Sequence, residues 1–147
     1  MYIISGCLLG QNCKYNGGNN FTGWVIEFAE KHNYISVCPE MAGGLKSPRP
    51  PVEIKDGRAV NCEGLDVTDA FQIGCRRVWE DAVRKAQELG EEIEGAILKA
   101  KSPSCGSGTI YDGTFSRKEI AGDGFLASYL KEKGIKVISE LEINLED

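Results

Sequence analysis

Short apolar runs alternate along this chain with longer stretches of helical periodicity, and that alternation restricts the fold more than any other feature. Residues 2–6, 34–37, 96–98 and 136–139 are brief, apolar and rich in β-branched side chains, so each reads as a buried strand. Between them, residues 22–31 place Trp24, Val25, Phe28 and Ala29 on one helical face, with Thr22 as the expected N-cap. Residues 68–89 carry the strongest stripe: Phe71, Cys75, Val78, Trp79, Ala82, Val83 and Ala86. Thr68 is the expected cap there and Gly90 the expected stop. A last helix over 124–133 ends at Gly134.

Strand–helix–strand order predicts parallel pairing with crossover helices covering the sheet. The expected fold class is therefore α/β: a Rossmann-like three-layer domain with a short, mainly parallel sheet, helices on its faces and one or two β-hairpins. Lys55-Asp56-Gly57-Arg58 between two extended runs signals one hairpin, and Asp112-Gly113 marks a second turn. Residues 40–51 hold Pro48, Pro50 and Pro51 and read as a fixed loop.

The 147 residues suit one domain spanning 1–147, with no repeat or linker to divide it. A net charge of −5 argues against charge-driven binding to large nucleic acids or anionic membranes, while leaving room for a local basic pocket. No run approaches the ~20 apolar residues that span a bilayer, and the apolar start has no basic flank, so a cytoplasmic protein is expected. In a reducing compartment, six cysteines point to metal binding or catalysis rather than disulfides. The single histidine, His32, reads as a surface cap of its helix, which rules out histidine-rich metal sites.

In parallel sheets the ligand site forms beyond the carboxyl ends of the strands. Cys7 follows the first strand, Cys38 closes the second and Cys105 lies a few residues beyond the third. Neighbouring strands lie about 4.7–4.9 Å apart, so these distant thiols converge on one rim. Three thiolates without histidine suit an iron–sulfur cluster or a three-sulfur zinc site. On a four-iron cluster, three protein ligands leave one iron open as a Lewis acid. Cys13 can reach the same rim as a fourth ligand or resolving thiol, Cys75 belongs to the core stripe, and Cys62 is incidental. The competing reading, in which each cysteine is a small buried hydrophobe, holds for any one of them better than for three at strand ends.

Glu40, two residues after Cys38, is a candidate general base for water, the alternative being a solvent-facing carboxylate. Ser102 and Ser104 precede Cys105, and either hydroxyl can serve a substrate; plain turn chemistry is the alternative. Lys46, Arg49 and Lys101 border the same loops as candidate substrate-binding cations, against simple surface solvation.

Ser5-Gly6-Cys7-Leu8-Leu9-Gly10, Lys14-Tyr15-Asn16-Gly17-Gly18, Val37-Cys38-Pro39-Glu40 and Lys101-Ser102-Pro103-Ser104-Cys105-Gly106, together with Gly44-Leu45 and Pro48-Arg49-Pro50-Pro51, resemble the thiouracil desulfidase family over essentially the whole chain. The resemblance implies a [4Fe–4S] cluster held by Cys7, Cys38 and Cys105, with one iron not bound by protein. It implies non-redox desulfuration of a small thiolated pyrimidine, 2-thiouracil or a 4-thiouridine-type base or nucleotide, with release of sulfide. Glu40 would activate water and Ser102 would assist at the substrate. The rival from another class is a structural or sensory zinc module closed by Cys7, Cys13, Cys38 and Cys105, without catalysis. A thiol-redox pair of Cys7 and Cys13 lacks C-x-x-C spacing. A dinucleotide site lacks G-x-G-x-x-G after the first strand.

Overall fold

The alternation read from the sequence is realised in the computed structural model, which describes residues 1–142. In chain order the elements are β1 (Tyr2–Ser5), a 3-10 turn (Gly6–Leu9), α1 (Gly23–Lys31), β2 (Tyr34–Val37), α2 (Pro39–Ala42), β3 (Val52–Lys55) and β4 (Arg58–Asn61). They continue with α3 (Thr68–Leu89), β5 (Gly95–Leu98), β6 (Thr109–Tyr111), β7 (Glu119–Ala121), α4 (Phe125–Glu132) and β8 (Val137–Ser139). Four strands form a parallel sheet in the order β2-β1-β5-β8.

Successive strand residues face opposite sides of a sheet, so each strand here feeds two cores. Ile3, Ala96 and Leu98 enter one with Cys75, Val78 and Ala82 of α3 and Leu126 and Leu130 of α4. Ile4, Ile97 and Ile138 enter the other with Val25 and Phe28 of α1. Helices on both faces make three layers and explain why the strands read as continuous apolar runs instead of alternating ones. The expected fold class is the one observed. From β1 the chain moves outward to β2, then returns past β1 to β5, and at such a reversal an α/β sheet opens its ligand crevice.

Both hairpins are present. Asp56 (φ 51°) and Gly57 (φ 75°) are both left-handed between β3 and β4, as a type I′ turn requires. The second hairpin is wider than its Asp-Gly pair suggests, because the Asp112 N–H donates to Lys118 O (2.9 Å) and five residues loop out between them. Its return strand, β7, escapes a sequence reading because every one of its residues is exposed and carries no core pattern.

Three local expectations change. Residues 39–42, which overlap the start of the 40–51 stretch expected to be a loop, form a helical turn with Pro39 at its start, where the missing N–H has no helical partner to lose. The Thr22 hydroxyl donates to Asn20 O (2.8 Å) and leaves α1 without a side-chain cap. Thr68 lies inside α3 instead of capping it: its hydroxyl accepts from the Ala59 N–H (2.9 Å), while Asp66 accepts from the Thr68 N–H (2.9 Å). Gly90 does end the helix, in the left-handed conformation (φ 68°).

Candidate functional site

A cavity of about 490 Å³ opens at the carboxyl ends of β1, β2 and β5, within the range of small-ligand sites. Cys7, Cys13, Cys38 and Cys105 all line it, with Glu40, Ser102 and Ser104. Cys7 sits on the turn that follows β1. Its carbonyl accepts from the N–H groups of Gly10 (3.2 Å) and Asn20 (2.9 Å), and its sulfur from Asn20 Nδ2 (3.4 Å). Cys38 stands between β2 and α2. Cys105 ends a tight loop in which Ser102 Oγ accepts from the backbone of Ser104 (3.2 Å) and Cys105 (3.1 Å).

The thiols differ in what their surroundings favour. Contact with the Cys13 thiol lowers Cys38 to about 6, helped by the Met41 N–H and the Arg49 charge. The same contact lowers Cys7 to about 7, with Asn20 contributing. Cys13, placed between them, is driven upward, first by Cys38 and then by Cys7. Burial pushes Cys105 up, against the hydrogen bonds of Ser5 and Ser104.

Glu40 occupies the first turn of α2 and is 8% exposed. One carboxylate oxygen accepts from Arg49 Nε (3.1 Å) and the other from the Ser104 hydroxyl (2.9 Å). The Arg49 guanidinium also donates to Lys46 O (3.0 Å) and Cys13 O (2.9 Å), so one cation ties the carboxylate to two loops. Ser104 Oγ lies 3.1 Å from Ser102 Oγ, completing a chain from Ser102 through Ser104 to Glu40.

Of the remaining candidates, Lys101 lines the cavity and pairs with Glu119 (3.1 Å), which holds its ammonium above the usual lysine range. Lys46 is exposed and outside the lining, present near the site only through its carbonyl. Cys75 lies in the α3 core, where burial raises it to about 12, and Cys62 is exposed. His32 is away from the cavity, donating to Phe28 O (2.8 Å) and stacked on the Phe28 ring.

Several lining residues carry no sequence signal of their own. Asn20 is one of many polar residues in a glycine-rich loop, and Ser5, whose hydroxyl accepts from the Lys99 N–H (3.0 Å), reads as the end of a strand. Tyr111, Phe115 and Arg117 arrive from the second hairpin. Five cations (Lys14, Arg49, Lys99, Lys101, Arg117) and two carboxylates (Glu40, Glu53) line the cavity, and Lys99 and Lys101 are each paired with a carboxylate outside the lining, Glu140 (3.0 Å) and Glu119 (3.1 Å).

Among the described residues, no group of three or more His, Cys, Asp or Glu is arranged to hold one metal ion. Tetrahedral zinc–sulfur bonds of about 2.3 Å would draw four sulfurs within roughly 4 Å of one another. A multi-iron cluster spreads its thiolates around a larger body. Cysteine sulfurs lining an open cavity with room for a ligand fit an iron–sulfur cluster better than a closed structural zinc site, which leaves no position for one.

A family model described as 2-thiouracil desulfurase matches residues 2–142. The uncharacterized protein YbbK of Bacillus subtilis (strain 168) is 38% identical over 154 residues, covering 98% of each chain. The solved structure of TudS, a [4Fe-4S]-dependent thiouracil desulfidase, matches with a TM-score of 0.82 at 40% identity, covering 97% of this chain and 91% of that one.

Proposed function

The chain belongs to the 2-thiouracil desulfurase family, and on that premise we propose that it removes sulfur from a small thiolated pyrimidine with the help of a [4Fe–4S] cluster. The observation that carries this reading is the meeting of Cys7, Cys38 and Cys105, from three strand ends, in one cavity with Glu40. Those three cysteines would hold the cluster. When bound, it supplies an iron without a protein ligand, a Lewis acid for the thiocarbonyl sulfur.

The work of the chain itself is proton handling. A carboxylate offers about four lone-pair positions, and Arg49 and Ser104 occupy two of those on Glu40. The free positions take a proton from water, which attacks the pyrimidine carbon. Ser102 accepts two backbone N–H bonds, so its hydrogen is shared between Ser104 and whatever acceptor enters the cavity. Given to a heteroatom of the substrate, that proton is replaced through Ser104 from Glu40. The carbon exchanges sulfur for oxygen, sulfide leaves, and no electrons are transferred.

The test is oxygen-free reconstitution with iron and sulfide, followed by assay of 2-thiouracil and 4-thiouridine-type bases and nucleotides for oxo product and sulfide. Glu40→Gln is expected to keep its iron and lose about 10²–10⁴-fold in kcat. Cys38→Ala is expected to lose the cluster. A Glu40→Gln protein working at the wild-type rate would remove the base from the mechanism, and reconstituted wild type without turnover would remove the function.

A further inference from the structure

We propose that the β6–β7 loop supplies the face on which the pyrimidine ring rests: the Phe115 ring stacks on the heterocycle, and Glu53 is the residue that positions it. The inference rests on the desulfuration reading above and assigns that cavity a specificity element.

Phe115 and Arg117 both line the cavity, and both have left-handed backbones (φ 58° and 62°). Positive φ is uncommon outside glycine and, for a bulky residue, signals strain that surrounding structure must hold in place. Two strained residues in one five-residue loop, both presented to the same cavity, mark the segment as built for presentation.

The restraint is visible. Glu53 of β3, which also lines the cavity, accepts with a single oxygen from the N–H groups of Gly113 (3.0 Å) and Phe115 (3.1 Å). Gly113 itself (φ 93°) runs against β3 so closely that an added Cβ would lie 2.9 Å from Ile54 O. The loop is thus clamped to the first hairpin at two points, both beside Phe115.

The ring it presents is a poor structural choice and a good recognition one. Phe115 is 38% exposed, and it takes part in none of the ring–ring contacts among the described residues. An apolar ring held at a cavity wall, strained and half open to water, lacks a folding rationale. Planar heterocycles stack on such rings, whichever atoms they carry at their edges.

The experiment compares wild type, Phe115→Leu, Phe115→Tyr, Glu53→Ala and Glu53→Gln as reconstituted holoproteins. Each is measured for KM and kcat on 2-thiouracil, for iron content, and for calorimetric binding of uracil, which has no sulfur for iron. Phe115→Leu keeps apolar bulk without the ring, and its KM and its uracil dissociation constant are expected to rise roughly five- to hundredfold with little change in kcat. Phe115→Tyr should restore both. Glu53→Ala should behave like Phe115→Leu, whereas Glu53→Gln keeps an acceptor oxygen and should stay near wild type. Unchanged KM and uracil affinity in Phe115→Leu, or a loss confined to iron content, would overturn the inference while leaving wild-type desulfuration intact. Wild-type holoprotein that leaves 2-thiouracil and the 4-thiouridine-type bases and nucleotides all unconsumed would overturn the function and the inference together.

Discussion

Arg49 touches three parts of the cavity with one planar group: the Glu40 carboxylate, the Cys13 carbonyl and the Lys46 carbonyl. Its side chain is only 7% exposed, so this is a buried ion pair whose value lies in orientation. Lysine cannot reproduce a fork of fixed donors. Arg49→Lys is therefore expected to keep iron but lose about ten- to hundredfold in kcat, the worth of a charged hydrogen bond, measured on reconstituted protein of matched iron content. Ser104→Ala separates the two serines, because it leaves one Glu40 oxygen without a donor and breaks the path to Ser102. A fall of at least about tenfold in kcat is expected, and an unchanged rate would show that Ser102 acts without the relay.

At the scale of elements, the decisive contact is between α2 and α3. A Cβ on Gly74 would lie 1.8 Å from Pro39 O, and one on Gly43 would lie 1.9 Å from Ala70 O. Bare backbone on both sides lets the long helix press on the short turn that carries Glu40 and follows Cys38. Gly74→Ala is expected to cost about 1–3 kcal/mol from overpacking and to reduce both iron retention and activity, read by thermal denaturation and iron assay. Gly23→Ala, at a position with nothing within 4 Å of the added carbon, should leave stability unchanged or raise it by up to about 1 kcal/mol. The start of α3 gives a pH test. Arg58 first, then Thr68, hold the Asp66 carboxyl below its usual range. A lowered folded-state pKa stabilises above the unfolded value of about 3.9 and is lost as pH falls through the folded one. Asp66→Asn should lower the thermal midpoint at pH 7, and the gap from wild type should shrink only below about pH 4.

Across the whole molecule, the proposed ligands join segments that are remote in sequence and meet only through the sheet. A group bound to the folded chain and not to the unfolded one stabilises the former by mass action, and one bridging distant segments also closes long loops. Stripping iron with a chelator should therefore lower the thermal midpoint by at least several degrees, at about 2–4 °C per kcal/mol for a chain of this size. Equal midpoints in calorimetry of the loaded and stripped protein would show that no such bridge exists.

How far this could be read in advance follows the range of the forces involved. Apolar periodicity and end signals are local, so the four strands of the main sheet and the three longer helices were legible within a residue or two. Parallel order then carried Cys7, Cys38 and Cys105 to one rim without any local motif. The sequence left Ser102 and Ser104 unresolved, left the role of Arg49 open and was silent on Phe115, whose hairpin returns through the fully exposed β7. It also placed caps on Thr22 and Thr68 by residue type, where the Asn20 carbonyl two residues back took the first hydroxyl and the Ala59 N–H of β4 took the second. Except for the local Thr22 contact, those matters turn on hydrogen bonds and close approaches between separate elements of the chain. Burial pattern alone determined the layers and their order; which side chains face one another across the cavity was decided only when the loops beyond the strands folded together.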